Sequence, residues 1–227
     1  MVHFFTKSKG VREKNDSRSK LENTFQYEYD NAPIRMSIPP IRISNIKIST
    51  KIKAIKAHAL KNLCEKNNVE YKNCGNFIIF QLSDENNQST YTYTIFMPAS
   101  ENQEKVHTNI CGLKEGDAEN AIYTLQVFLN YPHENISYDV DTVTATVKQK
   151  HKVNLRKFLK RNLSDSDNEI KFNPESFPAL YCKRAKITYS IFSSGVINIL
   201  GAKSKKAIES DIDYILEKCL ESKSENV

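Results

Sequence analysis

Tryptophan is absent from the 227 residues, and glycine is scarce, at six. Only Gly112 and Gly116 come close together, so neither GxGxxG nor GxxxxGK[ST] occurs, and the phosphate-cradling nucleotide folds lose their main signature. The five cysteines (Cys64, Cys74, Cys111, Cys182, Cys219) are odd in number and contain no CxxC pair. That argues against a disulfide framework and against the paired ligands of a structural zinc site. The five histidines are scattered, with no HExxH and no Ser-His-Asp or Cys-His arrangement legible from spacing. The expectation is therefore no catalytic residue, no metal site and no cofactor. No apolar run approaches the ~18 residues that span a bilayer. The opening MVHFFTKSKG lacks the apolar core of a secretory signal. The chain reads as soluble and intracellular, with no membrane contact.

What is present is a mildly basic chain, with formal net charge +6 and 39% hydrophobic residues, long enough for one domain or two small ones. Residues 1–40 are polar, without apolar periodicity, and end in Pro39-Pro40, which reads as a flexible N-terminal tail. From Ile41 the run IRISNIKIST alternates as a strand does. Ile52, Ile55, Ala59 and Leu63 follow at helical spacing. Strand-like runs come next at FIIFQL (77–82), YTYTIFMP (91–98) and KVHTNICGL (105–113), then an amphipathic helix marked by Ala118, Ala121, Ile122, Leu125 and Leu129.

The second half repeats this order. DTVTATV (141–147) leads into a helix with Leu155, Phe158 and Leu159. Strands follow at FPALYCK (177–183), KITYSIF (186–192) and VINILGA (196–202), and a closing helix carries Ile208, Ile212, Ile215, Leu216 and Cys219. Phe77 pairs with Phe177, Phe96 with Phe192 and Gly112 with Gly201, a drift of offset that loop insertions produce. The expected domains are a repeat over 41–132, a second over 133–222, and a short C-terminal tail over 223–227. Strands in runs with segregated helices predict an α+β fold in which helices cover one sheet face and leave the other bare. A bare face carrying phenylalanines predicts a binding surface.

The stretch FNPESFPALYCKRAKITYSIFSSGVINILGAKS (172–204) resembles the core of a TATA-binding protein repeat: FNPESFP, IFSSG and GAKS stand in that family's order and spacing. In the first half SNIKIST resembles the family's first strand, YKNCGNF its first stirrup loop and IFMPAS its Ser-Gly turn. The likeness runs from residue 41 to about 220. It implies a saddle of two pseudo-symmetric halves, one curved antiparallel sheet with helices on the convex side, whose concave face sits in the minor groove of double-stranded AT-rich promoter DNA. Minor-groove wedging is an established property of that family and comes with the resemblance.

Carried over residue by residue, Phe177 and Phe192 match one wedge pair, Phe77 and Phe96 the other. Asn45 matches the asparagine at the centre of the groove, with Thr142 as its counterpart. Lys183 matches a phosphate-contacting arginine. Leu200 and Cys111 replace groove-facing threonines, and Lys47, Thr144 and Ser190 stand where the family prefers Val or Leu. Asn198 completes the DNA-facing set. Glu175, with Pro174 in the same loop, matches an acidic contact to a factor IIB-like protein. A factor IIA-like protein would dock at the first repeat.

The function implied is that of a general transcription initiation factor, a monomer on DNA that bends TATA-box promoters and nucleates a pre-initiation complex with the RNA polymerase machinery. The alternative is a protein-interaction factor of the same fold with weak or no DNA binding of its own. An enzyme is not expected. Lys148, Lys150, Lys152, Arg156, Lys157, Lys160 and Arg161 form a run without one acid. Such a stripe neutralises phosphates or meets an acidic partner, unless it is only a solvated face. Lysine outnumbers arginine 26 to 7 and asparagine numbers 22, which suggests an AT-rich genome. The expected location is nuclear, or a cytoplasmic replication site if the source is a large DNA virus.

Overall fold

A computed structural model describes residues 38–85, 88–131 and 135–224. The expected N-terminal tail, up to residue 37, and residues 225–227 of the C-terminal tail lie outside the described residues. The elements run β1 (Arg42–Lys53), α1 (Ala57–Lys66), β2 (Tyr71–Asn73), β3 (Phe77–Ser83), β4 (Thr90–Phe96), β5 (Lys105–Leu113) and α2 (Ala118–Leu129). Then come β6 (Tyr138–Lys148), α3 (Leu155–Asn162), β7 (Glu169–Lys171), β8 (Ala179–Arg184), β9 (Ile187–Phe192), β10 (Val196–Ala202) and α4 (Lys205–Glu221).

All ten strands form one curved antiparallel sheet in the order β2-β3-β4-β5-β1-β6-β10-β9-β8-β7. Outward from its centre, each side meets the strands of one half in the same sequence, so β1 corresponds to β6 and β5 to β10. This is the α+β architecture that the repeated element order predicts.

The strands alternate because β-branched and aromatic residues do. In β4, Tyr91, Tyr93 and Ile95 are fully buried, while Thr92, Thr94 and Phe96 point the other way and stay partly exposed. In β10, Ile197 and Ile199 are buried beside a half-exposed Asn198 and an exposed Leu200. One face of every long strand thus feeds a core. One core joins β6, β8, β9 and β10 to α3 and α4; the other joins β1, β3, β4 and β5 to α1 and α2. Ile46 and Val140, from the central strand pair, pack against both. The helices supply apolar stripes, as Ile208, Ile212, Ile215 and Cys219 do along α4.

Helix starts are set by side chains. Asn154 accepts from the Lys157 amide at 3.0 Å and Ser204 from the Ala207 amide at 3.1 Å. Ser204 is the last residue of the GAKS run, which gives that serine a structural reason. Ser204→Ala is expected to lower stability by about 1 kcal/mol, read by chemical denaturation.

Two readings of the sequence need correction, and two short strands are not read from it at all. Ile52 belongs to β1, opposite Val106 of β5, and α1 begins only at Ala57. Ile52 fits both a helical spacing and the alternation Ile48-Thr50-Ile52, and pairing with β5 decides for the strand. The edge strands β2 and β7, three residues each, are too short to show a period. Strand β8 starts at Ala179 rather than Phe177, because the preceding chain turns with the Phe177 amide bonded to the Asn173 carbonyl at 3.0 Å.

Candidate nucleic-acid interface

The helices leave the opposite sheet face bare, and the residues expected to face DNA lie on that side of the strands or at its two ends, although Ser190 is buried there at 5% exposure. At the centre, β1 and β6 pair Asn45 with Thr144 and Lys47 with Thr142. Exchanging the halves maps Asn45 onto Thr142 and Lys47 onto Thr144, so this four-residue set straddles the pseudo-twofold. The hydrogen bonds repeat too. Asn45 Oδ1 accepts from the Gly112 amide at 2.7 Å, and Thr142 Oγ1 accepts from the Gly201 amide at 3.1 Å. A threonine therefore does the backbone-holding part of the asparagine's job without offering its amide.

Outward in the second half, Asn198 pairs with Ser190, Leu200 with Thr188, and Lys183 with Thr188 across the next strand. Thr146 Oγ1 donates to Asn198 Oδ1 at 3.1 Å. The first half repeats the pattern with Asn109 opposite Thr94 and Cys111 opposite Thr92. Asn109, Thr94 and Thr92 are missing from the residues expected to face DNA. A signal for them exists, because Asn109 precedes Asn198 by the same offset of 89 that relates Gly112 to Gly201. Leu200, at 43% exposure on this face, contributes little to the core. Leu200→Ala is expected to change stability by less than about 0.5 kcal/mol in the same denaturation assay.

The two aromatic pairs sit toward opposite ends of the sheet. Phe77 and Phe96 are cross-strand neighbours with ring centroids 5.6 Å apart, and Phe177 and Phe192 lie 6.0 Å apart. None of the four is buried, and Phe177 is 39% exposed. Each pair leans on one more ring: His107 at 5.6 Å from Phe96, and Tyr181 stacked at 5.3 Å on Phe177. The flanking loops differ. The first is the tight Cys74–Asn76 turn; the second runs over residues 172–178 and carries Pro174 and Glu175, both exposed.

Arg42, Lys47, Lys51, Lys148 and Lys183 share the bare face with Asp139, Asp141 and Glu169, a mixed but net positive set. Asp141 Oδ2 lies 3.1 Å from Lys47 Nζ, and its Oδ1 accepts from Ser49 Oγ at 2.8 Å.

The basic run is built differently from a continuous strand. Lys148 ends β6, opposite Val196; Lys150 and Lys152 follow in the loop to α3, both exposed, with Gln149 and Val153 on either side of them buried and His151 between them partly buried. The buried loop residues keep the period after strand pairing stops. On α3, Arg156, Lys160 and Arg161 are exposed opposite buried Leu155 and Phe158, and Arg161 bonds the Glu221 carbonyl. Among the described residues no group of His, Cys, Asp or Glu side chains could hold a metal ion, and no helix is long and apolar enough to cross a membrane.

Comparison with known proteins gives the following. The profile of the family described as "Transcription factor TFIID (or TATA-binding protein, TBP)" matches residues 137–221. A TATA-box-binding protein of Pyrococcus abyssi is 33% identical over 86 residues, 37% of this chain and 42% of that protein. One from Pyrococcus horikoshii is 31% identical over 86 residues with the same coverage, and one from Thermococcus celer 28% over 85. The aligned part thus spans less than half the length of these curated relatives. The solved Methanococcus jannaschii TBP superposes with TM-score 0.62 at 24% identity, covering 81% of this chain and 99% of that one, which establishes the fold of the first half as well.

Proposed function

We propose that the chain, whose residues 137–221 match the TATA-binding protein family's profile and whose two halves carry that family's fold, is a transcription factor that binds AT-rich promoter DNA through its bare sheet face. The two phenylalanine pairs toward opposite ends of that face, each at least partly exposed and with ring centroids 5.6 and 6.0 Å apart, carry this reading. A minor groove offers few donors and acceptors, so a reader of it works by apolar contact, shape and a few polar side chains. The floor is built that way: threonines, Leu200, Asn45, Asn109 and Asn198, with no helix above it among the described residues. A wedge at each end unstacks a base step and bends the duplex onto the floor between them.

In this reading residues 41–132 and 133–222 are the two repeats, and the DNA-facing set is Phe77, Phe96, Phe177, Phe192, Asn45, Lys47, Thr142, Thr144, Lys183, Ser190, Asn198 and Leu200. The exposed loop with Pro174 and Glu175 docks a factor IIB-like protein. The first half docks a factor IIA-like one, and the assembly recruits the RNA polymerase machinery at the genome, in the nucleus or at a viral replication site. The protein acts by binding, not by catalysis. The Lys47–Asp141 ion pair in the middle of the floor favours a second reading, a protein-interaction factor with weak DNA affinity, because it sets a carboxylate against base edges that in AT-rich DNA offer only acceptors.

A mobility-shift titration at one stated salt, with an AT-rich and a GC-rich duplex, separates the two: preference for the first supports DNA binding, and no shift of either leaves the interaction factor. The same assay tests the basic run. Replacing Lys148, Lys150 and Lys152 by alanine is expected to weaken binding about equally on all sequences. It should also flatten the salt slope by roughly 0.9 for each phosphate that is no longer neutralised. An unchanged slope makes them a solvated face.

A further inference from the structure

Resting on the DNA-binding reading above, we infer that Asp141, held beside Lys47, makes this floor favour one G·C pair within an AT-rich site, recognised through the N2 amine of guanine. The β1–β6 register shifts between Lys47, opposite Thr142, and Ile48, opposite Val140, so Asp141 is the extra residue of a bulge. Its carboxylate lies on the bare face with Lys47 and Ser49, both of which bond it there. The Lys47 and Asp141 side chains keep 32% and 29% of their exposure. On the backbone, Lys203 Nζ fixes the bulge by donating to the Asp141 carbonyl at 2.7 Å.

An ionised carboxylate offers about four acceptor positions and an ammonium three donors. Ser49 and Lys47 occupy two of the former, and Asp141 one of the latter. The pair therefore presents an acceptor and donors side by side to whatever lies against the floor. An A·T pair shows only acceptors in the minor groove, and against it the Asp141 carboxylate would be desolvated and face lone pairs. A G·C pair adds one donor, the guanine amine, while keeping acceptors for Lys47. Burial pushes the Asp141 carboxyl upward, but hydrogen bonds from Ser49 and Lys47 outweigh it and hold the group below its usual range, so it is an acceptor at neutral pH.

The device has no twin. The offset that maps Asn45 onto Thr142 maps Asp141 onto Ser44 and Lys47 onto Thr144, both uncharged. A twofold saddle can sit on a near-palindromic AT-rich site either way round, and a single G·C reader on one side of centre fixes one orientation.

The test uses the full chain and an AT-rich duplex in which each A·T pair is replaced in turn by G·C or by inosine·C, which lacks only the N2 amine. At one position next to the centre, G·C is expected to bind tighter than inosine·C by about fivefold or more, the low end of a specific base contact. Asp141→Ala, or Asp141→Ser if the alanine variant melts early, is expected to abolish that difference while still binding the unsubstituted duplex. Equal or weaker binding of G·C at every position overturns the inference, as does a preference that survives both substitutions. Failure to bind even the unsubstituted duplex removes the DNA-binding reading itself, and the G·C preference with it.

Discussion

Phe177→Ala is expected to leave the protein folded while cutting its affinity for AT-rich duplex by roughly 30- to 150-fold, the equivalent of about 2 to 3 kcal/mol. The ring lies outside both cores and is 39% exposed. What it loses in the free protein is its stack on Tyr181 at 5.3 Å and its edge contact with Phe192 at 6.0 Å. Such ring pairs are worth about 0.5–1.5 kcal/mol, far below the roughly 3–5 kcal/mol of a buried Phe→Ala change. Bound DNA presents the opposite balance. Unstacking a base step costs a few kcal/mol, and without the ring nothing fills the opened step. Phe192→Ala should behave alike, and because the two rings touch, the double variant should lose less than the sum of the singles. Titration by fluorescence anisotropy and a thermal melt of each variant read both quantities. A variant that unfolds places the ring in the core; one that binds normally removes its wedge role.

Gly195→Ala is expected to be the most damaging single-methyl change, lowering stability by about 3 kcal/mol or more and loosening the second aromatic pair. Gly195 closes the turn between β9 and β10 at φ +86°, where an L side chain is strained. A Cβ there would meet the His151 carbonyl oxygen at 2.3 Å and the Gln149 carbonyl oxygen at 3.3 Å. Both are backbone atoms of the loop that carries Lys150 and Lys152, and that loop is tied to the turn because the Gln149 amide donates to the Gly195 carbonyl at 3.0 Å. The Gly195 amide in turn donates to the Phe192 carbonyl at 3.0 Å, so a displaced turn moves a wedge residue. Gly116 is the control. Its φ is also positive, +91°, yet nothing lies within 4 Å of its Cβ position, so Gly116→Ala should cost only the backbone strain, about 1 kcal/mol. Equal costs in denaturant melts of the two variants would show that the clash at Gly195 contributes nothing.

The contrast explains how much of this molecule is legible in its sequence. The glycine of IFSSG and the serine of GAKS are each dictated by a local backbone need, the Gly195 turn and the α4 cap, so short runs there survive and can be recognised. The alternation in YTYTIF and VINILGA separates core from bare face without any structure, and the repeated order of elements fixes which strand answers to which. What stays hidden is what pairing decides. Ile52 fits two periods, and only its partner Val106 chooses between them. The three-residue strands β2 and β7 exist because longer neighbours template them. Asn109 is legible only through its offset from Asn198, since nothing in its own strand marks it as groove-facing. The Asp141 bulge depends on a register shift that spacing along one strand does not record.

The most direct measurement of the central claim is the end-to-end distance, by energy transfer, of a dye-labelled AT-rich duplex titrated with the full chain at fixed salt. The ends are expected to draw together on binding. That approach should be reduced when either Phe77 and Phe96 or Phe177 and Phe192 are replaced by alanine, and lost when all four are. Binding without approach of the ends, or an approach unchanged in the fourfold variant, would contradict minor-groove wedging by these two pairs.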